Sequence, residues 1–152
     1  MNHNHPLPEH VQFVLFGAMG DLAWRLIGPA LFNLHLDGQL PSGFSLIGVD
    51  RDISVEALSE RLRDGVERFS RRGAPDGGAW TAFAARIGAC SMDLGDVGHY
   101  QQLRNQLSAD GGAADAQIFY LAIPPSLFGA VADGLAHVGL HRERSRARIV
   151  VE

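Results

Sequence analysis

Residues 11–23 read Val-Gln-Phe-Val-Leu-Phe-Gly-Ala-Met-Gly-Asp-Leu-Ala, an apolar run that passes through glycines into a helical pattern. Its first half, residues 11–16, is typical of a strand covered on both faces of a sheet. The small residues Gly17, Gly20 and Ala23 then follow at three-residue steps. This spacing suits a tight turn, a close approach of the backbone to a pyrophosphate, and a helix packed on the strand. The new helix would also offer its unpaired N–H groups to the phosphates. The stretch therefore predicts a dinucleotide-binding turn.

Four more apolar runs follow, and segments with helical periodicity alternate with them. The predicted strands cover residues 11–16, 44–49, 86–94, 117–123 and 148–151. The predicted helices cover residues 21–37, 54–72, 80–85, 96–107 and 124–138. Pro29 lies inside the first helical pattern and is expected to kink or restart it. The alternation predicts the α/β class, a doubly wound parallel sheet that is Rossmann-like and has about five strands.

Four of the predicted helices carry an apolar stripe that is expected to be buried, and in the last of them it is Val131, Leu135 and Val138. In the first helix the stripe is Leu22, Leu26, Ala30, Leu31 and Leu34. In the second helix it is Val55, Leu58, Leu62, Val66 and Phe69, after Ser54 as the predicted N-cap. In the fourth helix it is Val97, Tyr100, Leu103 and Leu107.

The ends of the predicted strands bring four candidate segments to one edge of the sheet. These segments are residues 17–21, Asp50 with Arg51, Asp93 with Leu94, and residues 122–125. Doubly wound sheets bind their ligands at the carboxyl ends of the strands, where the strand order reverses. The convergence of these loops predicts a nucleotide site at that edge.

The residues that close the second strand bear on the choice of cofactor. An acidic residue there binds the ribose 2′-hydroxyl and favours NAD, whereas an arginine binds a 2′-phosphate and favours NADP. The chain offers both, Asp50 followed by Arg51. Asp50 repels a 2′-phosphate unless its carboxylate turns away, and Arg51 can bind one as a charge-assisted fork. The sequence favours NADP, with NAD or a merely polar strand end as the alternatives.

Charge and hydropathy argue against several other classes of partner. The 152-residue chain has a formal net charge of −4, so no nucleic-acid partner is expected. Four arginines at 142, 144, 146 and 148 are interpreted as a solvated turn before the last strand. No apolar run is long enough to span a membrane, and no signal sequence opens the chain, so no membrane partner is expected.

The single cysteine and the opening residues indicate the compartment and the start of the fold. Cys90 lies in a predicted strand and is expected to be a buried, inert thiol. One cysteine also fits a reducing compartment, and a cytoplasmic location is predicted. Residues 1–10 contain three histidines and no periodicity, and they are interpreted as a disordered tail rather than a metal site.

Six segments, in order along the chain, resemble one enzyme family. They are Phe-Gly-Ala-Met-Gly-Asp-Leu-Ala at 16–23, Pro-Ala-Leu-Phe-Asn-Leu at 29–34, Leu-Asp-Gly-Gln-Leu at 36–40, Ile-Gly-Val-Asp-Arg at 47–51, Ile-Phe-Tyr-Leu-Ala-Ile-Pro-Pro at 118–125 and Arg-Ile-Val-Val-Glu at 148–152. Together they resemble the N-terminal domain of the glucose-6-phosphate dehydrogenases. The resemblance implies an oxidoreductase of the pentose phosphate pathway. It would oxidise C1 of glucose 6-phosphate to the lactone and pass the hydride to NADP.

The resemblance also implies roles for individual residues. The pyrophosphate would be cradled by Gly17, Ala18, Met19, Gly20, Asp21, Leu22 and Ala23. Arg51 would hold the 2′-phosphate, and Asp93 and Leu94 would lie near the cofactor. Ala122 to Pro125, with Ala122 and Pro124 foremost, would line the nicotinamide side.

The chain departs from the family at several positions. Leu26 stands where the family has a lysine that helps to place the sugar phosphate and the cofactor. Trp24 replaces a second lysine, Gly28 replaces an apolar residue, and Met19 takes a loop position that is usually small or polar. The family's histidine base lies in a second domain. The chain's own histidines at 35, 99, 137 and 141 are therefore interpreted as structural or exposed.

Residues 11–152 are thus predicted to form a dinucleotide-binding domain, and the substrate domain of the family is expected to be absent. The expected function is the NADP-binding domain of a glucose-6-phosphate dehydrogenase-like oxidoreductase, inactive as an isolated chain. Glucose 6-phosphate would be a partner only where a second domain is present. The alternative is a non-catalytic nucleotide-binding or interaction remnant of the family. The unpaired edge of the last strand also predicts self-association.

Overall fold

Five parallel strands form a single sheet in the computed structural model, which describes residues 9–109, 114–140 and 147–151. The strands are β1 (His10–Phe16), β2 (Gly43–Asp50), β3 (Ile87–Ser91), β4 (Ala116–Leu121) and β5 (Ala147–Val151). The helices are α1 (Gly28–Leu36), α2 (Val55–Phe69), α3 (Gly77–Ala84), α4 (Tyr100–Ala109) and α5 (Phe128–His137), and a π-helical turn, Ala23–Ile27, leads into α1. The predicted number of strands and their parallel direction are confirmed.

The strand order is β3-β2-β1-β4-β5, so β1 lies at the centre of the sheet. It pairs in parallel with β2 on one side and with β4 on the other. The chain runs outward from β1 through β2 to β3, returns to β4 on the other side of β1, and continues to β5. This reversal confirms the doubly wound, Rossmann-like class and leaves a crevice at the carboxyl ends of β1 and β4.

Alternate residues of β1 face two separate hydrophobic cores. Val11, Phe13 and Leu15 pack in the core that the π-helical turn, α1, α2 and α3 cover. Val14 and Phe16 pack in the core that α4 and α5 cover. Because side chains alternate between the faces of a strand, burial on both sides requires a continuous apolar run. The sandwich of helices, sheet and helices thus explains the sequence of β1.

Gln12 is the polar exception in β1, with 4% of its surface exposed. Its Nε2 donates a hydrogen bond of 2.9 Å to the carbonyl of Leu107. Its Oε1 accepts one of 2.8 Å from Nε2 of Gln117. Leu107 belongs to the last turn of α4, whose carbonyls have no partner within the helix. Gln12 therefore joins the end of α4 to the sheet.

Pro29 restarts the first helix, as the sequence predicts. The N–H of Gly28 donates to the carbonyl of Ala23, five residues earlier, and this bond closes the π-helical turn. Pro29 follows at the second position of α1, in the first turn, where a helix tolerates proline. At the other end of α1, Gly38 adopts the expected left-handed conformation with φ 67°.

The predicted stripe of this first helix is confirmed at Leu31 and wrong at three other positions. Leu26 is 55% exposed, Leu34 is 37% exposed, and Ala30 is exposed as well. The buried residues are Ala23, Ile27, Gly28, Pro29, Leu31 and Phe32. The inward face is set by Gly65 of α2, where a Cβ would lie 2.0 Å from the carbonyl oxygen of Trp24. This close approach of two backbones decides which side of the helix is covered.

The second helix begins as predicted and ends earlier. Oγ of Ser54 accepts a hydrogen bond of 3.1 Å from the N–H of Ala57, which confirms the N-cap. The helix ends at Phe69, three residues before the expected end. The middle of the stripe, Leu58, Leu62 and Val66, is buried as expected. Val55 and Phe69, at its two ends, are 39% and 41% exposed, so their predicted burial is wrong.

The third and fourth helices, α3 and α4, also begin at residues other than those predicted. Asp76 accepts a hydrogen bond of 3.2 Å from the N–H of Ala79 and thereby starts α3. Gly77 and Gly78, which were expected in a loop, are therefore helical. Val97 lies in a short 3₁₀ turn before α4 and is 39% exposed, so its predicted burial is wrong.

The edge strand β5 leaves apolar side chains uncovered. Ile149, Val150 and Val151 are 47%, 37% and 54% exposed. An exposed apolar edge strand can pair with another chain. Self-association through β5 stays a prediction.

Several expectations fall on residues outside the described ranges. These are the first eight residues of the predicted tail, His141 and the arginines at 142, 144 and 146. The strand β1 already begins at His10, the last residue of that predicted tail. In the described part of the chain, no helix is long and apolar enough to cross a membrane.

Replacing Gln12 by alanine is expected to lower the free energy of unfolding by about 1–3 kcal/mol, because two buried polar groups lose their partner. The matched control is Gln101→Ala on the exposed side of α4, which is expected to change stability by less than about 0.5 kcal/mol. Urea denaturation followed by circular dichroism measures both. Equal stability of the Gln12→Ala variant and the unmodified chain would contradict the role given to these hydrogen bonds.

Candidate nucleotide-binding site

The glycine turn after β1 is fixed from both sides by neighbouring strands. Gly17 has φ 81°, a conformation that L side chains rarely adopt. Its N–H donates a hydrogen bond of 2.9 Å to the carbonyl of Val49 at the end of β2. A Cβ at Gly17 would lie 2.3 Å from the carbonyl oxygen of Ala122, just after β4. Only glycine fits this position.

The chain becomes helical directly behind this turn. The N–H of Gly20 donates to the carbonyl of Gly17 at 3.0 Å, and the carbonyl of Gly20 accepts from the N–H of Trp24 at 3.3 Å. The N–H groups of residues 21–23 lie before this first intrahelical bond and have no acceptor within the helix. These N–H groups lie beyond the carboxyl end of β1. Such a helix start favours a bound phosphate group.

Asp50 braces the glycine turn from the end of β2. Its Oδ2 accepts a hydrogen bond of 3.0 Å from the N–H of Met19. Its Oδ1 accepts one of 2.9 Å from the N–H of Arg51. The carboxylate is therefore directed into the turn, a role that the sequence did not reveal. The only signal was the position of Asp50 at the end of a strand that pairs with β1.

Arg51 and Asp93 meet beyond the ends of β2 and β3. Nη2 of Arg51 lies 3.2 Å from Oδ2 of Asp93, and the Arg51 side chain is 73% exposed. Oδ1 of Asp93 accepts a hydrogen bond of 2.9 Å from the N–H of Gly95. That bond, and then the bond from Arg51, hold the pKa of Asp93 below its ordinary value. Asp93 is therefore ionised at neutral pH.

His99 holds the backbone of the same loop. Its Nδ1 accepts a hydrogen bond of 3.0 Å from the N–H of Asp93, and its Nε2 lies 3.3 Å from Oδ2 of Asp96. The sequence indicated only that His99 is structural or exposed, and it did not reveal these two contacts.

Leu94 anchors the loop to α4 rather than offering its side chain to the crevice. Its carbonyl accepts a hydrogen bond of 2.8 Å from the hydroxyl of Tyr100, and its side chain packs on the second core. Burial, and then the charge of Asp93, raise the pKa of Tyr100 to about 12. The phenol is therefore a neutral donor that ties the loop to the helix.

The residues expected on the nicotinamide side follow β4. The N–H of Ala122 donates 3.0 Å to the carbonyl of Phe16, which keeps this loop beside the glycine turn. Pro124 is exposed, and its carbonyl accepts from Leu127 in the 3₁₀ turn before α5. Leu121 ends β4 two residues before the predicted end, so Ala122 lies in the loop.

Other titratable residues lie away from this edge. His35 of α1 packs against the rings of Phe32 and Phe83, and partial burial, then Arg86, lower the pKa of His35. Cys90 is buried and unpaired, and burial raises the pKa of its thiol. The structural interpretation of both side chains is confirmed.

A cavity of about 520 Å³ lies at the opposite, amino edge of the sheet. Among its lining residues, Arg86 donates 2.9 Å to the carbonyl of Pro41, and Gln106 donates 3.0 Å to the carbonyl of Ala89. Both side chains are thus engaged in hydrogen bonds to the backbone of the fold. The candidate site residues identified from the sequence lie at the carboxyl edge instead.

The glycine turn, the helix behind it and the arginine after β2 define a dinucleotide-binding α/β domain. The family model described as glucose-6-phosphate dehydrogenase, NAD binding domain, matches residues 14–152. This chain belongs to that family. A nicotinamide nucleotide is therefore the cofactor class of the domain.

Two curated relatives show the extent of the match. A glucose-6-phosphate 1-dehydrogenase of Dickeya dadantii is 34% identical over 140 residues, 91% of this chain and 27% of that protein. The enzyme of the same name from Mycolicibacterium smegmatis is 34% identical over 149 residues, 96% of this chain and 30% of that protein. The chain thus spans less than a third of the length of these relatives.

Solved structures agree with this assignment. A crystal structure of glucose-6-phosphate 1-dehydrogenase from Mycobacterium avium has a TM-score of 0.80 at 31% identity, covering 95% of this chain and 29% of that one. A glucose-6-phosphate dehydrogenase in complex with glucose 6-phosphate has a TM-score of 0.77 at 28% identity, covering 95% of this chain and 30% of that one.

Replacing Gly17 by alanine is expected to destabilise the chain by about 1–3 kcal/mol more than replacing Gly38 by alanine. Both glycines have positive φ, 81° and 67°, so both variants carry backbone strain. Only at Gly17 does the added Cβ meet an oxygen, since nothing lies within 4 Å of the Cβ position at Gly38. Denaturant unfolding of the two variants measures the difference, and equal losses would show that the contact with Ala122 is not limiting.

Proposed function

We propose that this domain binds NADP, with its 2′-phosphate on Arg51 and its pyrophosphate on the glycine turn. The observation that carries the proposal is the division of roles at the end of β2. Both oxygens of Asp50 accept backbone N–H groups, whereas the guanidinium of Arg51 is exposed at the same edge. A guanidinium presents a planar fork that matches phosphate oxygens.

The position of Asp50 supports NADP over NAD. A carboxylate that recognises NAD accepts hydrogen bonds from the ribose hydroxyl. Asp50 already accepts from Met19 and Arg51, so its lone pairs are partly engaged and its charge is partly offset by two N–H dipoles. This arrangement lowers the repulsion of a 2′-phosphate. NAD is the weaker ligand of the site on this proposal.

The glycine turn fits a pyrophosphate. A Cβ at Gly20 would meet only the carbonyl oxygen of Gly17, at 3.1 Å, so the glycine leaves open space beside the helix start. The N–H groups of residues 21–23 would receive the phosphate oxygens. Ala122 and Pro124, after β4, would face the nicotinamide end. The dinucleotide when bound supplies the hydride acceptor, and the residues of this chain bind and orient it.

We propose that the whole protein acts in the oxidation of glucose 6-phosphate, with this domain as its nucleotide site. Support comes from the names of the relatives, glucose-6-phosphate 1-dehydrogenases, of which the chain spans less than a third. A cytoplasmic location accords with the single buried thiol, Cys90.

A second candidate function is a nucleotide-binding member of the family without catalysis. Leu26, at a position where the resemblance implies a substrate-placing lysine, is 55% exposed and uncharged. Trp24, at the position of another lysine, is engaged in packing. Its Nε1 donates 2.8 Å to Asp64, its ring lies 5.0 Å from the guanidinium of Arg61, and it meets Phe69 edge-on. Neither position offers a cation to a sugar phosphate.

Replacing Arg51 by alanine is expected to raise the Kd for NADP⁺ by about 10- to 100-fold, the range of a lost hydrogen bond to a charged group. The Kd for NAD⁺ is expected to change by less than about threefold, because NAD⁺ lacks the 2′-phosphate. Isothermal titration calorimetry on the 152-residue chain measures both. Arg71→Ala, which removes an exposed charge beyond α2, is the matched control. Equal weakening of NADP⁺ and NAD⁺ binding would contradict the proposed role of Arg51.

Glucose 6-phosphate added to the chain with NADP⁺ is expected to give no NADPH. The physical reason is that Leu26 and Trp24 leave the sugar phosphate without the cations that the resemblance implies. Absorbance of the reduced nicotinamide monitors the reaction, and a rise in melting temperature with NADPH serves as the control that the chain binds nucleotide. A measurable rate would exclude the non-catalytic candidate.

A further inference from the structure

The guanidinium of Arg51 already has an anionic partner in the unliganded structure. Nη2 of Arg51 lies 3.2 Å from Oδ2 of Asp93, and the two side chains are 73% and 43% exposed. A 2′-phosphate on Arg51 would bring its own negative charge to this place. The phosphate and the carboxylate therefore compete for one cation.

Asp93 is held in this position by contacts that do not involve Arg51. Its Oδ1 accepts from the N–H of Gly95, and its own N–H donates to Nδ1 of His99. The loop is further tied to α4 through the hydroxyl of Tyr100, which donates to the carbonyl of Leu94. Asp93 is thus fixed from its backbone and from one oxygen, with the second oxygen directed at the arginine.

The neighbouring carboxylate of Asp50 is not equivalent to Asp93. Both oxygens of Asp50 accept backbone N–H groups, and Asp50 braces the glycine turn. Within the described part of the chain, Asp93 is the carboxylate at ion-pair distance from Arg51. Asp93 is therefore the anionic partner of Arg51, although Asp93 follows β3 and Arg51 follows β2.

We propose that Asp93 is a specificity-determining residue that competes with the 2′-phosphate for Arg51 and so limits the preference of the site for NADP over NAD. This inference rests on the proposed nucleotide site. A ligand with a 2′-phosphate must displace Asp93 from Arg51, whereas a ligand with a free 2′-hydroxyl leaves the pair intact. Asp93 acts through Arg51, as a positioning residue, and makes the discrimination smaller than Arg51 alone would give.

The test compares two adenine nucleotides that differ only in the 2′-phosphate. Calorimetric titration of the 152-residue chain with 2′,5′-ADP and with 5′-AMP gives the affinity for each. Asp93→Asn is expected to tighten 2′,5′-ADP binding by about two- to fivefold, the range of an exposed ion pair. Binding of 5′-AMP is expected to stay within about 1.5-fold. Asparagine keeps an oxygen for the N–H of Gly95, so the loop retains its fold.

Two further variants separate the pair from the general effect of charge. Asp52→Asn removes the same charge one residue beyond Arg51, at φ 48°, a conformation that asparagine tolerates. It is expected to leave the ratio of the two affinities nearly unchanged. In an Arg51→Ala background, Asp93→Asn is expected to lose its effect on 2′,5′-ADP, as a double-mutant cycle requires.

The outcomes distinguish this inference from the proposed function. If neither nucleotide binds the unmodified chain, the proposed function and the inference are both overturned. If 2′,5′-ADP binds and Arg51→Ala weakens it, but Asp93→Asn leaves binding unchanged or weakens it, the inference alone is wrong. Weaker binding in Asp93→Asn would mean that Asp93 holds Arg51 ready for the phosphate. An equal gain in Asp52→Asn would assign the effect to net charge and also overturn the inference.

Discussion

The backbone of the loop after β4 packs directly against the glycine turn. The carbonyl oxygen of Ala122 lies beside Gly17, in the space that the Cβ of any other residue would fill. On the opposite side, the N–H of Gly17 donates to the carbonyl of Val49. The turn is therefore clamped between the ends of β2 and β4. The chain leaves the central strand β1 through this turn and enters a helix within a few residues. The crevice beside the turn follows from the strand order, which reverses between β1 and β4.

The end of β2 adds a second constraint, because adjacent side chains there take opposite roles. Asp50 faces the turn and accepts the N–H of Met19, so the backbone that would receive a pyrophosphate is braced before any ligand arrives. Arg51 faces solvent beside it. In the proposed site, the backbone of the turn would hold the pyrophosphate, and the exposed guanidinium beside it would contact the 2′-phosphate. Preorganisation of this kind reduces the entropy lost on binding.

The strands could be predicted from the sequence because burial on both faces leaves continuous apolar runs, and Ser54 and Gly38 mark helix ends by local chemistry. The inward face of the first helix could not be predicted. Residues 22–36 are apolar on most sides, so periodicity alone does not choose one of them. The deciding contact joins Gly65 to the backbone of Trp24, which is far away in the sequence. The π-helical turn Ala23–Ile27 also shifts the helical periodicity of the residues that follow it.

The location of the candidate site could be predicted as well, since parallel strand ends converge on one edge, but the pairing of its side chains could not. Asp50 and Asp93 are both carboxylates that follow strands, and nothing in their spacing says which one meets Arg51. Backbone hydrogen bonds decide which carboxylate pairs with Arg51. The N–H of Met19 donates to Asp50, whereas the N–H of Asp93 donates to His99 and holds Asp93 after the neighbouring strand β3. Specificity for a ligand is a difference between two affinities. Under the proposed function, that difference would depend on which carboxylate lies beside Arg51, and the fold rather than the motif selects that carboxylate.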